Sequence, residues 1–210
     1  MLLTRIVELL ESEKVFARRR KTNEARALGT LLIYLGLSCR KTEEVLQCFA
    51  DKSYEAAKQR YHRAKHLFES PEKKYREAIA IDETKIKIHG KWHYLWAAID
   101  INSWEILAIY ISPSRSCYDT LLFLRMVLRW CVNKPHVYVD GGPWYRWALQ
   151  RLGLSWEHKT FGERNAIEQW FSIIKQRIKQ FYKRWPHNAR LETILSWCLA
   201  FVAIYNLRRT

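Results

Sequence analysis

The sequence predicts an α/β protein: a mixed five-stranded sheet flanked by helices, preceded by a small all-helical domain. Three observations lead there. Residues 1–77 have no β-branched runs, and their only glycines are Gly29 and Gly36. At residue 78 a two-residue alternation begins, AIAIDETKIKIH, and turn signals divide the chain from there into a meander of three strands. Beyond the meander, short strand-like runs alternate with helical ones, the pattern of strands covered by helices.

A first helix is expected at about residues 2–15, followed by the basic step RRRK at 18–21, and a second at about 23–35. Thr42 can cap a short helix whose Val45, Leu46 and Phe49 face inward. Asp51 to Ser53 make a polar break, and Ser53 caps the next helix. In that helix Ala57, Tyr61, Ala64 and Phe68 share one stripe, while Lys58, Gln59, His62, Arg63 and His66 occupy the other face. A short helix, a tight break and a longer helix with a basic outer face fit a helix-turn-helix that lays donors into a DNA major groove. They also fit a plain helical hairpin with a solvated basic face.

PEKKYREA, from Pro71, reads as a linker, which divides the chain into residues 1–70, 71–77 and 78–210. Gly90-Lys91 and Asn102-Ser103 supply the turns of the meander. Residues 116–132 are apolar enough for a buried helix, and HVYVD is a fourth strand. Pro143 opens a helix that Gly153 closes, and LSWEH is a fifth strand. A long helix from Arg164 to about Trp185 breaks at Pro186, and an apolar helix covers about 189–207. The order β-β-β-α-β-α-β-α is that of the ribonuclease-H-like fold.

The net charge of +15 points to a polyanionic partner, nucleic acid ahead of an anionic membrane. Five scattered cysteines without a CxxC argue against a zinc ribbon and suit a reduced cytoplasmic setting. No uninterrupted apolar run reaches the roughly 18 residues of a membrane span, and the N-terminus reads as an amphipathic helix rather than a signal peptide. Ten tryptophans imply large buried surfaces or flat contact surfaces.

Acids at strand ends need a reason in so basic a chain. Asp82 interrupts the first strand, and Asp140 ends the fourth, where ligand sites of α/β sheets gather. On the long helix Ile167, Trp170, Ile174, Ile178, Phe181 and Trp185 form an apolar stripe, beside Arg164, Glu168, Ser172, Lys175 and Lys179. From 164 to 190 seven Lys or Arg stand against the single acid Glu168. Taken alone, Glu168 suits an i,i+4 salt bridge with Arg164. Taken with Asp82 and Asp140, if the first and fourth strands are neighbours, it completes three carboxylates whose mutual repulsion calls for cations. Two magnesium ions would meet that need.

IDETKIKIHGKWHYLWAAID, YISPSRS, VYVDGGPWY and ERNAIEQWFSIIKQR together resemble the DDE transposases of compact insertion sequences, the insertion sequence six group with its archaeal members. The resemblance covers about residue 28 to the end. It implies Asp82, Asp140 and Glu168 as catalytic acids holding two Mg²⁺, with Mn²⁺ a substitute. Lys58, Gln59, His62, Arg63, Arg164, Lys175, Arg177 and Lys179 would contact DNA. The implied activity is metal-dependent cleavage at the element's ends, then strand transfer. The partners would be double-stranded DNA, as terminal inverted repeats and target, and a second copy of the chain in a homodimer or larger assembly. The 27 residues between Asp140 and Glu168 are fewer than in the bacterial members. Two alternatives stand beside this reading: a DNA-binding regulator derived from an inactive transposase, and a nuclease that cuts without joining.

Other residues are weighed against these. Glu83 faces away from Asp82 by alternation, and Asp100 suits the following turn. Glu157, at the end of the fifth strand, is weighed as a substitute ligand and set aside in favour of Glu168. Trp144, Tyr145 and Trp147 stack on a frayed base or pack against the long helix.

Overall fold

The computed structural model describes residues 2–12, 23–47, 54–67, 71–159, 162, 164–179, 185 and 189–209. The basic step at 18–21, Phe49, the break at 51–53 with its cap Ser53, Phe68, Phe181, Pro186 and the side chain of Lys179 lie outside them. The chain divides into two compact units, one of residues 70–176 and one of residues 1–69 with 177–210.

The first unit is built on five strands: β1 (Ala78–Ile88), β2 (Lys91–Asp100), β3 (Ile106–Ser112), β4 (His136–Val139) and β5 (Trp156–His158). Their order is β3-β2-β1-β4-β5. The meander β1-β2-β3 is antiparallel, whereas β4 pairs parallel with β1 and β5 parallel with β4. A central first strand with an antiparallel meander on one side and parallel strands on the other is the ribonuclease-H-like arrangement the sequence predicts. Parallel neighbours need crossovers, and the two helices between them supply these: α5 (Cys117–Leu128) before β4 and α6 (Pro143–Leu152) before β5.

Alternation decides which face each β1 residue serves. Ile79 and Ile81 join Trp96, Phe123, Leu124, Val137, Tyr145 and Leu149 in a buried core with α5 and α6. Trp96 keeps its indole N–H satisfied by donating to Ser112 Oγ at 2.8 Å. Asp82 therefore belongs to the other face. The first turn falls on His89-Gly90 rather than Gly90-Lys91. Ile88 pairs with Lys91, and both turn residues have positive φ, 47° and 78°. That twist suits a two-residue hairpin.

Capping follows the sequence closely in this unit. Ser116 and Asp119 form a reciprocal capping box on α5. Pro143 opens α6, and Gly153 closes it at φ 63°. Residues 71–77 form no named element but are pinned. The Arg76 guanidinium is buried and donates to Asp100 Oδ2 at 2.6 Å and Glu105 Oε2 at 2.8 Å. Its backbone exchanges hydrogen bonds with the Asn133 side chain. Asp100 also accepts from the Asn102 and Ser103 amides, as its place before a turn suggests.

The second unit holds α1 (Leu2–Ser12), α2 (Asn23–Leu35), α3 (Cys39–Gln47), α4 (Tyr54–Arg63) with a 3-10 turn at Ala64–Leu67, and α8 (Leu191–Arg209). The helix α7 (Asn165–Lys179) runs from the first unit into the second. Leu46, Ala57, Tyr61 and Ala64 are buried as expected. α3 starts earlier than expected: Ser38 Oγ accepts from the Lys41 amide at 3.2 Å, and Thr42 is buried inside the helix instead of capping it. That start turns Val45 outward. α8 packs its aromatics inside the unit, with Trp197 against Tyr61 and Phe201 against Tyr34. It is long and apolar enough to span a bilayer by length and composition alone, although polar residues interrupt its apolar run. Its burial is that of a core helix.

Candidate active site

Asp82 and Asp140 meet at the carboxyl edge of the central strands. The parallel register pairs Ala78 with His136, Ile79 with Val137 and Ala80 with Tyr138. β4 ends at Val139, and the same offset continued for two residues brings Asp82 and Asp140 to the same edge. The charge of Asp140 helps to raise the Asp82 carboxyl. Burial raises it most, and Arg164 opposes; the net result lifts Asp82 from its ordinary 3.8 to about 6. One Asp82 oxygen accepts from the Glu83 amide at 2.8 Å, and the other from Arg164 Nη2 at 2.8 Å.

Arg164 is the residue the sequence placed least well. It precedes α7 rather than lying on an exposed cationic stripe, and its side chain is only 7% exposed. The guanidinium also donates to the Lys159 carbonyl at 3.1 Å and lies 3.9 Å from Glu168 Oε1. It thus links Asp82 to Glu168. Glu168 itself is about half exposed, and its ion pair is the i,i+4 one. Among the described residues no three acids, histidines or cysteines form a group able to hold a metal ion. The sequence conceals this, because a helix wheel gives the direction of a side chain but not its reach across a helix start.

The Asp140 loop is shaped by close approach. Asp140 Oδ1 accepts from the Gly142 amide at 3.0 Å. A Cβ on Gly142 would stand 2.5 Å from the Trp144 indole and 3.0 Å from Asp140 Oδ1. On Gly141 it would meet the His158 ring at 3.3 Å. Glycine is needed here so that Trp144 can fold back over the loop. Tyr145, buried, donates its hydroxyl to Glu83, and Arg115 pairs with the same carboxylate at 3.3 Å. Glu83 points away from Asp82 as alternation requires, yet it ties β1, the SPSRS segment and α6 together behind the site. Of the three aromatics considered for base stacking, Tyr145 is closed off, Trp144 is half-buried beneath Arg115, and Trp147 is exposed.

The remaining DNA-contact candidates scatter. Gln59 and Arg63 are exposed on α4, and Lys58 pairs with Glu55 at 3.7 Å. His62 is not on that face: its Nδ1 lies 3.3 Å from Ser196 Oγ on α8, and burial holds its pKa down. Lys175 is exposed on α7, while Arg177 is half-buried with its Nε enclosed. Glu157 pairs with Lys159 at 3.8 Å, away from a ligand role.

Residues 76–209 match the family pattern described as a DDE domain of IS240 type. The chain belongs to the DDE transposase family, in the insertion sequence six group. It is 45% identical over 201 residues to an uncharacterized protein of Methanocaldococcus jannaschii, covering 96% of this chain and 94% of that one. A Staphylococcus aureus transposase for insertion sequence element IS257 in transposon Tn4003 is 29% identical over 131 residues, 60% of this chain and 58% of the relative. A solved catalytic core domain of BIV integrase overlaps 60% of this chain and 81% of its own, at a TM-score of 0.45 and 15% identity.

Asp82 and Asp140 offer hard oxygen donors of the kind a small divalent cation prefers. Arg164 stands in for positive charge beside them. The two carboxylates fit such an ion, and Glu168 is the member held apart.

Proposed function

We propose that the chain cuts DNA at the ends of its element and joins the freed 3′-hydroxyl to target DNA. The parallel pairing of β1 with β4, which brings Asp82 and the residue directly after β4, Asp140, to the same edge, carries this reading. In it both carboxylates hold divalent cations, two Mg²⁺ with Mn²⁺ a substitute, and Glu168 joins them when Arg164 lets it go. When bound, such ions supply charge neutralisation for an in-line phosphoryl displacement. Asp82, buried and proton-avid, is the ligand whose charge the site controls. Lys175 on the exposed side of α7 holds a DNA phosphate. The α3–α4 pair reads the terminal repeats as a helix-turn-helix through Gln59 and Arg63. Residues 78–210 act as the catalytic part and 1–70 as the reader, in a cytoplasmic protein that works as a dimer or larger assembly on DNA.

A second reading, a DNA-binding regulator without chemistry, draws support from Glu168, which is solvent-exposed and paired with Arg164. One assay separates the readings. The chain is given its own element ends, a plasmid target and Mg²⁺ or Mn²⁺, and joined product is scored. Product that disappears in Asp140→Asn is expected. Cleavage without joining would favour the nuclease, and joining that persists in Asp140→Asn would overturn the site.

A further inference from the structure

The β1–β2 hairpin reaches past the edge where β4 ends. β4 stops at Val139, one residue past its last pairing with β1, Tyr138 with Ala80, whereas β1 continues to Ile88. From Asp82 to Lys87 is five residues, about 16 Å of strand. The two sides of this arm differ. Ile86 and Ile88 on one side are buried. On the other, Lys85 and Lys87 are exposed, cross-strand from Tyr94 and Trp92. Trp92 is 57% exposed, and Lys87 Nζ lies 5.6 Å from its ring centre. Nearer Asp140 the row continues: Arg115 lies between Tyr94, at 4.8 Å, and Trp144, at 4.2 Å. The acid of this face, Glu83, is buried and already paired by Arg115 and Tyr145.

We propose that this row, Trp92, Lys87, Lys85, Tyr94 and Arg115, on the face of β1 opposite the Asp82 carboxylate, is a binding track for an unpaired DNA strand that turns over the strand edge beside Trp144 and Asp140. Cations alternating with aromatic rings match a strand's alternation of phosphate and base. Rings stack on any base, and ammonium groups follow the backbone. A largely exposed tryptophan beside a lysine offers a ring face that a base can cover. The inference rests on the DNA-transposing reading and adds where one strand lies.

The test uses the full chain in EDTA, so that binding alone is read. The probes are fluorescein-labelled oligo(dT) of about 16 nucleotides, one binding-site length, and a blunt duplex of equal length. Lys85→Glu with Lys87→Glu is compared with Arg125→Glu plus Arg129→Glu, an equal charge change on exposed positions of α5 and its cap. We expect the hairpin pair to weaken oligo(dT) binding at least tenfold more than the control pair. Trp92→Ala, which changes no charge, should weaken it about tenfold. In wild type, 5-iodouracil-substituted oligonucleotide should photocross-link to the peptide containing Trp92. Unchanged oligo(dT) binding in the hairpin variants overturns the track, as does a loss confined to the duplex. If those variants still join DNA, only the track falls. If wild type binds neither probe, the transposing reading falls with it.

Discussion

Asp82 is a carboxylate that the fold prefers to keep protonated. Its pKa rises on folding from 3.8 to about 6, so the native state binds a proton that the unfolded chain has released. This contribution to stability is fully present below about pH 4 and is lost as pH rises through about 6. A divalent cation competes with that proton, so its stabilising effect should grow over the same window. Melting with and without Mn²⁺ at pH 5 and pH 7 checks this: the Mn²⁺-induced rise should be larger at pH 7, and Asp82→Asn should remove the difference. Arg164→Gln removes the cation beside Asp82 and leaves a buried carboxylate unpaired. It should destabilise the metal-free chain by about 3 kcal/mol, and Mn²⁺ should restore more stability to it than to wild type. An Arg164 that merely covered the surface would give neither result in denaturant titrations. Arg76→Ala breaks the better buried pair with Asp100 and should cost about 3–5 kcal/mol in the same titrations, with no dependence on metal.

At the scale of elements, the loop between β4 and α6 is the most sensitive segment. Gly142→Ala forces either Trp144 or Asp140 to move, because the added carbon falls 2.5 Å from one and 3.0 Å from the other. Its cost in stability should be about 1–3 kcal/mol, with strand joining reduced more than tenfold. Gly141→Ala meets the His158 ring at 3.3 Å and should be milder on both counts. The sequence announces this loop through Asp-Gly-Gly-Pro and its strand through alternation. It puts Asp82 and Asp140 at their strand positions by side-chain period, and brings them together only if β1 and β4 are neighbours, a tertiary property that the sheet order supplies. It does not place Glu168 relative to them. That depends on Arg164, whose guanidinium crosses from the start of α7 to β1 over 82 positions of sequence. For the same reason Glu83 reads as idle by alternation, although Tyr145 and Arg115 reach it from two other segments. His62 fails on the same ground: a helix wheel shows its direction, but α8, more than 130 residues away, decides what it meets.

For the whole molecule, the division of labour between sequence segments differs from the division of packing. The DDE-domain match runs from 76 to 209, yet α8 inside it packs with α1, α2 and α4. Trp197 lies against Tyr61, Phe201 against Tyr34, and the Arg5 guanidinium donates to the Leu207 carbonyl at 2.8 Å. The N-terminal helices therefore take part of their core from the far end of the chain. A fragment of residues 1–69 would expose Tyr34 and Tyr61 to water and lose a buried surface that a segment of this size needs. It should show weak helicity, no cooperative melt and poor dispersion of amide NMR signals. Adding a separate 177–210 peptide should restore a cooperative transition, because the missing helix is then supplied in trans. Independent, cooperative folding of 1–69 would show that α8 is dispensable to that core. It would also make the N-terminal helices a detachable domain, whereas the contacts of Tyr34, Tyr61 and Arg5 with α8 tie their folding to the DDE-domain segment of the chain.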